Sequence, residues 1–146
     1  TFEYRQYPCL HSDISRADWR QLDFIEGIQN EPMKDLVKNL AFDKAVINLA
    51  TPSSIQFPHT HGTSTVITYY INPDWKKEYY GETIFYDDSM THCIGTSLYH
   101  TNSAVIFDGK IPHSIRPASH IAPSYRFSLS VFFRQKNFIE EAKNSS

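Results

Sequence analysis

Cysteine is scarce in this chain of 146 residues: there are two, Cys9 and Cys93. Two thiols do not make a disulfide scaffold, so a packed core has to hold the fold. They read as free thiols of a reducing compartment, and with no leader pattern in view the expected location is cytoplasmic. No apolar run approaches the roughly 18 residues needed to span a bilayer. Lysine and arginine number 14 against 16 acids, for a net charge of -2, and they form no dense run. That excludes a generic electrostatic grip on nucleic acid or on an anionic membrane. There is no internal repeat, low-complexity tract or interdomain linker, so residues 1–146 read as one domain. Nothing in the pattern speaks to oligomeric state.

What is present is apolar and aromatic. Hydrophobic residues make up 40% and aromatics 14%, enough for a core and weighted toward strands. Ser15 followed by Asp18 approximates a capping box. Trp19, Leu22, Phe24, Ile25 and Ile28 then recur at roughly helical spacing. Asn30-Glu31-Pro32 breaks this helix and opens a second, with Met33, Leu36, Val37 and Leu40 inward and its proline near the start. Residues 1–44 are thus expected to be helical support.

From Ala45 the pattern changes to strands: Ala45–Ala50, Ser64–Asn72, Thr83–Tyr86, Ala104–Phe107, Ile111–Ile115 and Tyr125–Phe133. Asn72-Pro73-Asp74 and Asp108-Gly109 read as turns. The tail 135–146 is expected to form a terminal helix with a frayed end. The fold class implied is mainly β with supporting N-terminal helices, a sandwich or barrel occupying 45–134.

Three features carry chemistry. In Pro58-His59-Thr60-His61-Gly62 the histidines stand at i and i+2, which in an extended segment point to the same side. Neutral imidazole is a good ligand for iron, zinc, copper or nickel. Taken alone, two exposed loop histidines would look the same. His113, after the turn at Asp108-Gly109, offers a third ligand from a distant strand, although a satisfied core histidine fits there too. His11, His92, His100 and His120 lack such context and read as surface residues. In Arg126-Phe127-Ser128, alternation puts Arg126 and Ser128 on one strand face, opposite Phe127, Leu129 and Val131. An inward arginine is costly unless it meets an anion, and its fork matches a carboxylate. An internal ion pair or a solvent-facing arginine are the alternatives.

Together, His59-Thr-His61, Tyr69-Tyr-Ile-Asn72-Pro-Asp-Trp75, Gly81-Glu-Thr-Ile-Phe85, Phe107-Asp-Gly, His113-Ser-Ile-Arg-Pro117 and Tyr125-Arg-Phe-Ser128 resemble the iron(II)/2-oxoglutarate-dependent dioxygenases, most closely their prolyl-4-hydroxylase-like branch. The resemblance runs from about Ala45 to Phe133 and implies a double-stranded β-helix, or jelly roll. It implies that His59 and His113 are the first and last iron ligands. Arg126 would receive the distal carboxylate of 2-oxoglutarate, with Ser128 beside it and Tyr70 touching the same group. Asn72, Trp75, Gly81 and Glu82 would be structural. The activity implied is hydroxylation of a C–H bond, with release of succinate and carbon dioxide and support from ascorbate. The substrate would be a protein or peptide side chain, proline among them, or a small molecule.

His61 departs from the family, whose second ligand is an aspartate or glutamate. It either completes a three-histidine site, turns away and leaves a two-histidine site, or marks lost chemistry; coordination is favoured by the i, i+2 geometry. Three neutral imidazoles leave the metal's full dipositive charge, which favours a dianionic cofactor. Two rivals remain. A cupin-type three-histidine metalloenzyme fits the histidines but gives Arg126 and Ser128 no purpose. A non-catalytic binding module on the same fold would account for His61.

Overall fold

The computed structural model describes residues 10–52 and 54–136. The elements are β1 (Leu10–Ile14), α1 (Arg16–Gln21), α2 (Glu31–Lys38), β2 (Leu40–Ala50), β3 (Thr65–Tyr70), a 3₁₀ turn (Lys77–Tyr79), β4 (Thr83–Tyr86), β5 (Cys93–Ser97), β6 (Ala104–Asp108), β7 (His113–Ile115) and β8 (Arg126–Gln135). They form a five-stranded sheet, ordered β1-β2-β8-β3-β6, and a three-stranded sheet, ordered β5-β4-β7. Every pairing is antiparallel.

An isolated antiparallel bridge between His59 and His113 extends the smaller sheet beyond β7. With that bridge included, the chain from β2 onward pairs first strand with last and works inward: β2 with β8, His59 with β7, β3 with β6, β4 with β5. This is one long antiparallel ribbon coiled on itself, the double-stranded β-helix. The β3–β8 and β4–β7 ladders close the coil.

Strand alternation gives the large sheet two different faces. Ile67, Leu129, Val131 and Phe133 pack with Trp19, Val37 and Leu40 beneath the N-terminal helices. Trp19 stacks on Phe42 with ring centroids 4.7 Å apart. The opposite face turns toward the small sheet, where Val46, Val66, Phe107 and Phe132 meet Phe85 of β4. In β8 the alternation is uninterrupted, so Arg126, Ser128 and Phe132 are buried on this inner side while Leu129, Val131 and Phe133 are buried against the helices.

The N-terminal region is less helical than its sequence spacing implies. β1 and the first residues of β2 lie within 1–44. Ser15 caps α1 as expected, its hydroxyl accepting from the Asp18 N–H at 3.1 Å. But α1 stops at Gln21, and Asp23 adopts φ +46°. Asp tolerates this left-handed conformation, which a helix cannot contain. Phe24, Ile25 and Ile28 still pack on the Trp19 core, from a turn rather than a helix. Asn30 caps α2, with Pro32 in its first turn.

One strand starts well before its expected position, and another was not expected at all. β2 begins at Leu40 and carries a bulge between Phe42 and Lys44, which shifts the inward register by one residue. The polar connection after Tyr86 contains β5, whose residues are mostly exposed and so lack an alternating pattern. Gln135 ends β8, and the rest of the expected C-terminal helix lies outside the described residues. So does Cys9; Cys93 is an exposed free thiol.

Candidate metal centre

His59 and His113 exchange backbone hydrogen bonds in both directions, each N–H donating to the other's carbonyl at 3.0 Å. Such a pair puts the two side chains on the same side of the ribbon. His61 is fixed two residues on, its N–H donating to the Gly109 carbonyl at 2.7 Å, while the Gly109 N–H donates to Ser64 at 2.7 Å. Each histidine offers a ring nitrogen, and these atoms all lie within 4.8 Å of one another. Ring centroids are 4.5 Å apart for His59–His113 and 4.9 Å for each pair involving His61.

The hydrogen bonds also settle the tautomers. His59 Nδ1 lies 2.9 Å from the Phe57 carbonyl, and His113 Nδ1 lies 2.9 Å from the Ile111 carbonyl. A carbonyl can only accept, so Nδ1 donates to it and Nε2 is left as the ring nitrogen available to a metal. This is the outer partner arrangement that orients metal-ligating histidines. Burial keeps His61 neutral, its pKa pushed down to about 4, with the nearby His113, His59 and Lys44 acting in the same direction. Burial also lowers His113, against the smaller opposing effect of its bond to Ile111. Three imidazole donors converging on one point have the chemistry a divalent transition metal requires.

The triad opens on a cavity of about 260 Å³ between the sheets. Its wall includes Lys44 and Asn48 of β2, Thr68 of β3, Thr83 of β4 and Ser130 of β8. Arg126, Ser128 and Tyr70 lie one layer deeper, each 0% exposed. Arg126 Nε donates to the Gly81 carbonyl at 2.8 Å and Nη1 to the Ser128 hydroxyl at 3.1 Å. Its guanidinium carbon lies 5.7 Å from the Tyr70 ring centre and 5.2 Å from that of Tyr99. The Tyr70 hydroxyl bonds to Thr83 at 3.0 Å, linking the buried arginine layer to the cavity wall.

The residues expected to be structural are so. Asn72 Oδ1 accepts from the Phe127 N–H at 2.6 Å and Nδ2 donates to the Tyr125 carbonyl at 2.8 Å, clamping the start of β8. Trp75 donates to the Tyr80 carbonyl at 2.7 Å. Gly81 has φ +85°, and a Cβ there would meet the Arg126 side chain at 3.1 Å. Glu82 pairs with Arg116 at 2.9 Å.

Sequence reading missed Lys44, Thr83 and His11. His11 is exposed, as expected, and also lines the cavity rim. Lys44 precedes the strand start assigned from sequence, and the bulge before it hides its inward phase. Thr83 sits on a strand whose only sequence signal was β-branching.

No family model matches the chain, and no curated protein matches it by sequence. Solved structures do. A prolyl hydroxylase from Trichoplax adhaerens, in complex with a hypoxia-inducible factor oxygen degradation domain peptide, superposes with TM-score 0.62 at 11% identity, over 92% of this chain and 67% of that one. A Pseudomonas putida prolyl-4-hydroxylase gives 0.59 at 18% identity, over 86% and 71%. A cupin domain from Bordetella pertussis gives 0.50 at 9% identity, over 90% and 99%. At these identities the likeness establishes the jelly-roll fold shared by hydroxylases and cupins.

Proposed function

We propose that the protein is a non-haem iron(II)- and 2-oxoglutarate-dependent dioxygenase that hydroxylates a C–H bond. One observation carries this reading: three histidine rings converge on a cavity between the sheets, and Arg126 is buried beside Ser128 and near Tyr70 on the inner face of the large sheet. The donor set fits iron(II), and a buried guanidinium fits a carboxylate. Its sequence neighbourhood resembles the prolyl-hydroxylase-like branch, and the fold agrees.

His59, His61 and His113 would hold the metal, His61 replacing the family's acid. Arg126 would receive the distal carboxylate of 2-oxoglutarate, with the Ser128 and Tyr70 hydroxyls beside it. Iron and 2-oxoglutarate, when bound, supply oxidative decarboxylation coupled to oxygen insertion, and ascorbate would support turnover. The chain's own part is placement. The His59–His113 bridge fixes two imidazoles, the Phe57 and Ile111 carbonyls would hold their Nδ1 protons away from the metal, and Phe107 and Phe132 pack against the His113 and His61 rings.

The deciding experiment is anaerobic addition of 2-oxoglutarate to the iron(II)-loaded protein. A visible charge-transfer band that is lost in His59→Ala is expected. No band and no 2-oxoglutarate-dependent change at the metal would sink the assignment. A second reading, a cupin-type metalloenzyme that does not use 2-oxoglutarate, is favoured by His61. Metal-dependent chemistry independent of 2-oxoglutarate would select it. No helix among the described residues is long and apolar enough to cross a membrane. The peptide bound to the Trichoplax enzyme supports a protein or peptide substrate here, whereas the size of the cavity, about 260 Å³, supports a small one.

A further inference from the structure

Besides the histidines, the cavity wall carries two formal charges, of opposite sign: Asp13 on β1 and Lys44 on β2. Both are on the inner face. Asp13 pairs with Val46 in the β1–β2 register, and Lys44 is the next inward position along β2. Diagonal neighbours of this kind lie about 7–8 Å apart, so each can present its charge separately. Among the described residues Asp13 and Lys44 form no ion pair with each other or with another side chain. The Lys44 ammonium lies instead over the Phe132 ring, 4.8 Å from its centre. Phe132 in turn packs edge-on against His61 with centroids 4.9 Å apart. The Lys44 ammonium therefore stands at the solvent-exposed rim of the cavity, over the ring that packs against His61 and unpaired with Asp13.

Size limits what these charges can meet. At about 260 Å³ the cavity falls just below the ~300–1,000 Å³ usual for small-molecule sites. Any cofactor shares it. An internal residue of a peptide brings no charge of its backbone to the site. A free amino acid brings both, of opposite sign and joined through one carbon.

We propose that the outer cavity binds a small zwitterion of the free amino acid class, its carboxylate on Lys44 and its ammonium on Asp13. For the reaction that follows, this rests on the oxygenase reading; the binding itself does not. Held at both charges, the substrate presents its side chain toward the triad, and the wall selects free amino acids over chain-internal residues.

The test is binding of the twenty free L-amino acids to the manganese(II)-loaded protein, followed by calorimetry or ligand-observed NMR. Each is compared with its C-amide and its N-acetyl derivative. At least one free amino acid is expected to bind, and each cap to weaken it about tenfold or more, as loss of a charge-assisted contact does. In Lys44→Gln the free amino acid should weaken similarly, and the C-amide should then cost nothing further. Lys44→Arg should restore most of the affinity. In Asp13→Asn the same non-additivity should hold for N-acetylation. Both positions are exposed, and thermal melts establish that the variants fold. Capped ligands binding as well as free ones, caps that cost the variants as much as the parent, or no free amino acid binding would each overturn the proposal. Manganese and 2-oxoglutarate affinities, titrated separately, report on the oxygenase reading: their loss sinks that reading and leaves the ligand series to decide this one.

Discussion

His59 and His113 face each other as a hydrogen-bonded antiparallel pair, held by two backbone bonds of 3.0 Å that no side chain contributes to. Truncating either ring therefore leaves the bridge that positions it. His59→Ala and His113→Ala should remain folded by circular dichroism. Metal affinity, measured by calorimetry with manganese(II) or cobalt(II), should fall by more than the roughly 10–100-fold typical of losing an outer partner. Retained affinity in either variant would remove that histidine from the ligand set.

His61→Asp tests the departure from the family pattern. An aspartate lowers the charge of the metal site by one and introduces an anion near Lys44, which acts on His61 in the parent. Metal should still bind, whereas 2-oxoglutarate should bind more weakly, because the site offers a dianion less positive charge. If metal affinity, 2-oxoglutarate affinity and oxygen reactivity all stay unchanged, His61 is not a ligand.

Gly109→Ala should damage the site through the backbone. Its added Cβ would lie 2.6 Å from the Ser64 carbonyl oxygen and 3.1 Å from the His61 Cβ. Something must shift, at a cost of about 1–3 kcal/mol. Denaturant melts should show that loss, and the cobalt(II) spectrum should change because His61 is displaced. An unaltered spectrum would show that the loop yields elsewhere.

Arg126→Gln should abolish 2-oxoglutarate binding while sparing metal binding. It also strips the Gly81 carbonyl of a buried donor, costing about 1–3 kcal/mol of stability. Arg126→Lys keeps the charge and loses the fork, so it should recover little of the 2-oxoglutarate affinity. Full recovery would mean that charge alone is read.

Acid should weaken the metal-free protein in two windows. His61 has a native pKa of about 4 against an ordinary 6.5, so the unfolded chain takes up a proton that the native state resists. Stability should fall as pH drops from about 6.5 toward 4, with His113 acting in the same direction. Asp87 is lowered to about 2 from 3.8, chiefly by the His92 backbone N–H, so its contribution is present above 3.8 and lost toward 2. Denaturant titrations across pH should show His61→Ala removing part of the first loss and Asp87→Asn only the second.

Much of this was legible in the linear sequence because strand alternation is local. Arg126 and Ser128 share a face because they are two residues apart, and β8 runs without a bulge between them. The same period places His59 and His61 side by side. Ser15 and Asn30 announced their helix starts because capping is settled within three residues. Asn72, Gly81 and Glu82 could be matched to a pattern, but their partners (β8, Arg126 and Arg116) come from elsewhere in the chain, whereas Trp75 bonds locally to Tyr80.

What needed the tertiary structure was long-range. The turn read at Asp108-Gly109 is there, yet its glycine is required by the approach of Ser64 and His61, more than forty residues earlier. Lys44 faces the cavity only because of the bulge at its own strand's start, and a bulge depends on the partner strand β8. The α1 helix ends at Gln21 because Asp23 turns the chain so that Phe24, Ile25 and Ile28 meet the sheet core. The sequence by itself determined the strands, their alternation and the chemical identity of the candidate ligands. Only the long-range pairing of those strands decided that His113 would stand across from His59, since the rung joins residues more than fifty positions apart in the chain.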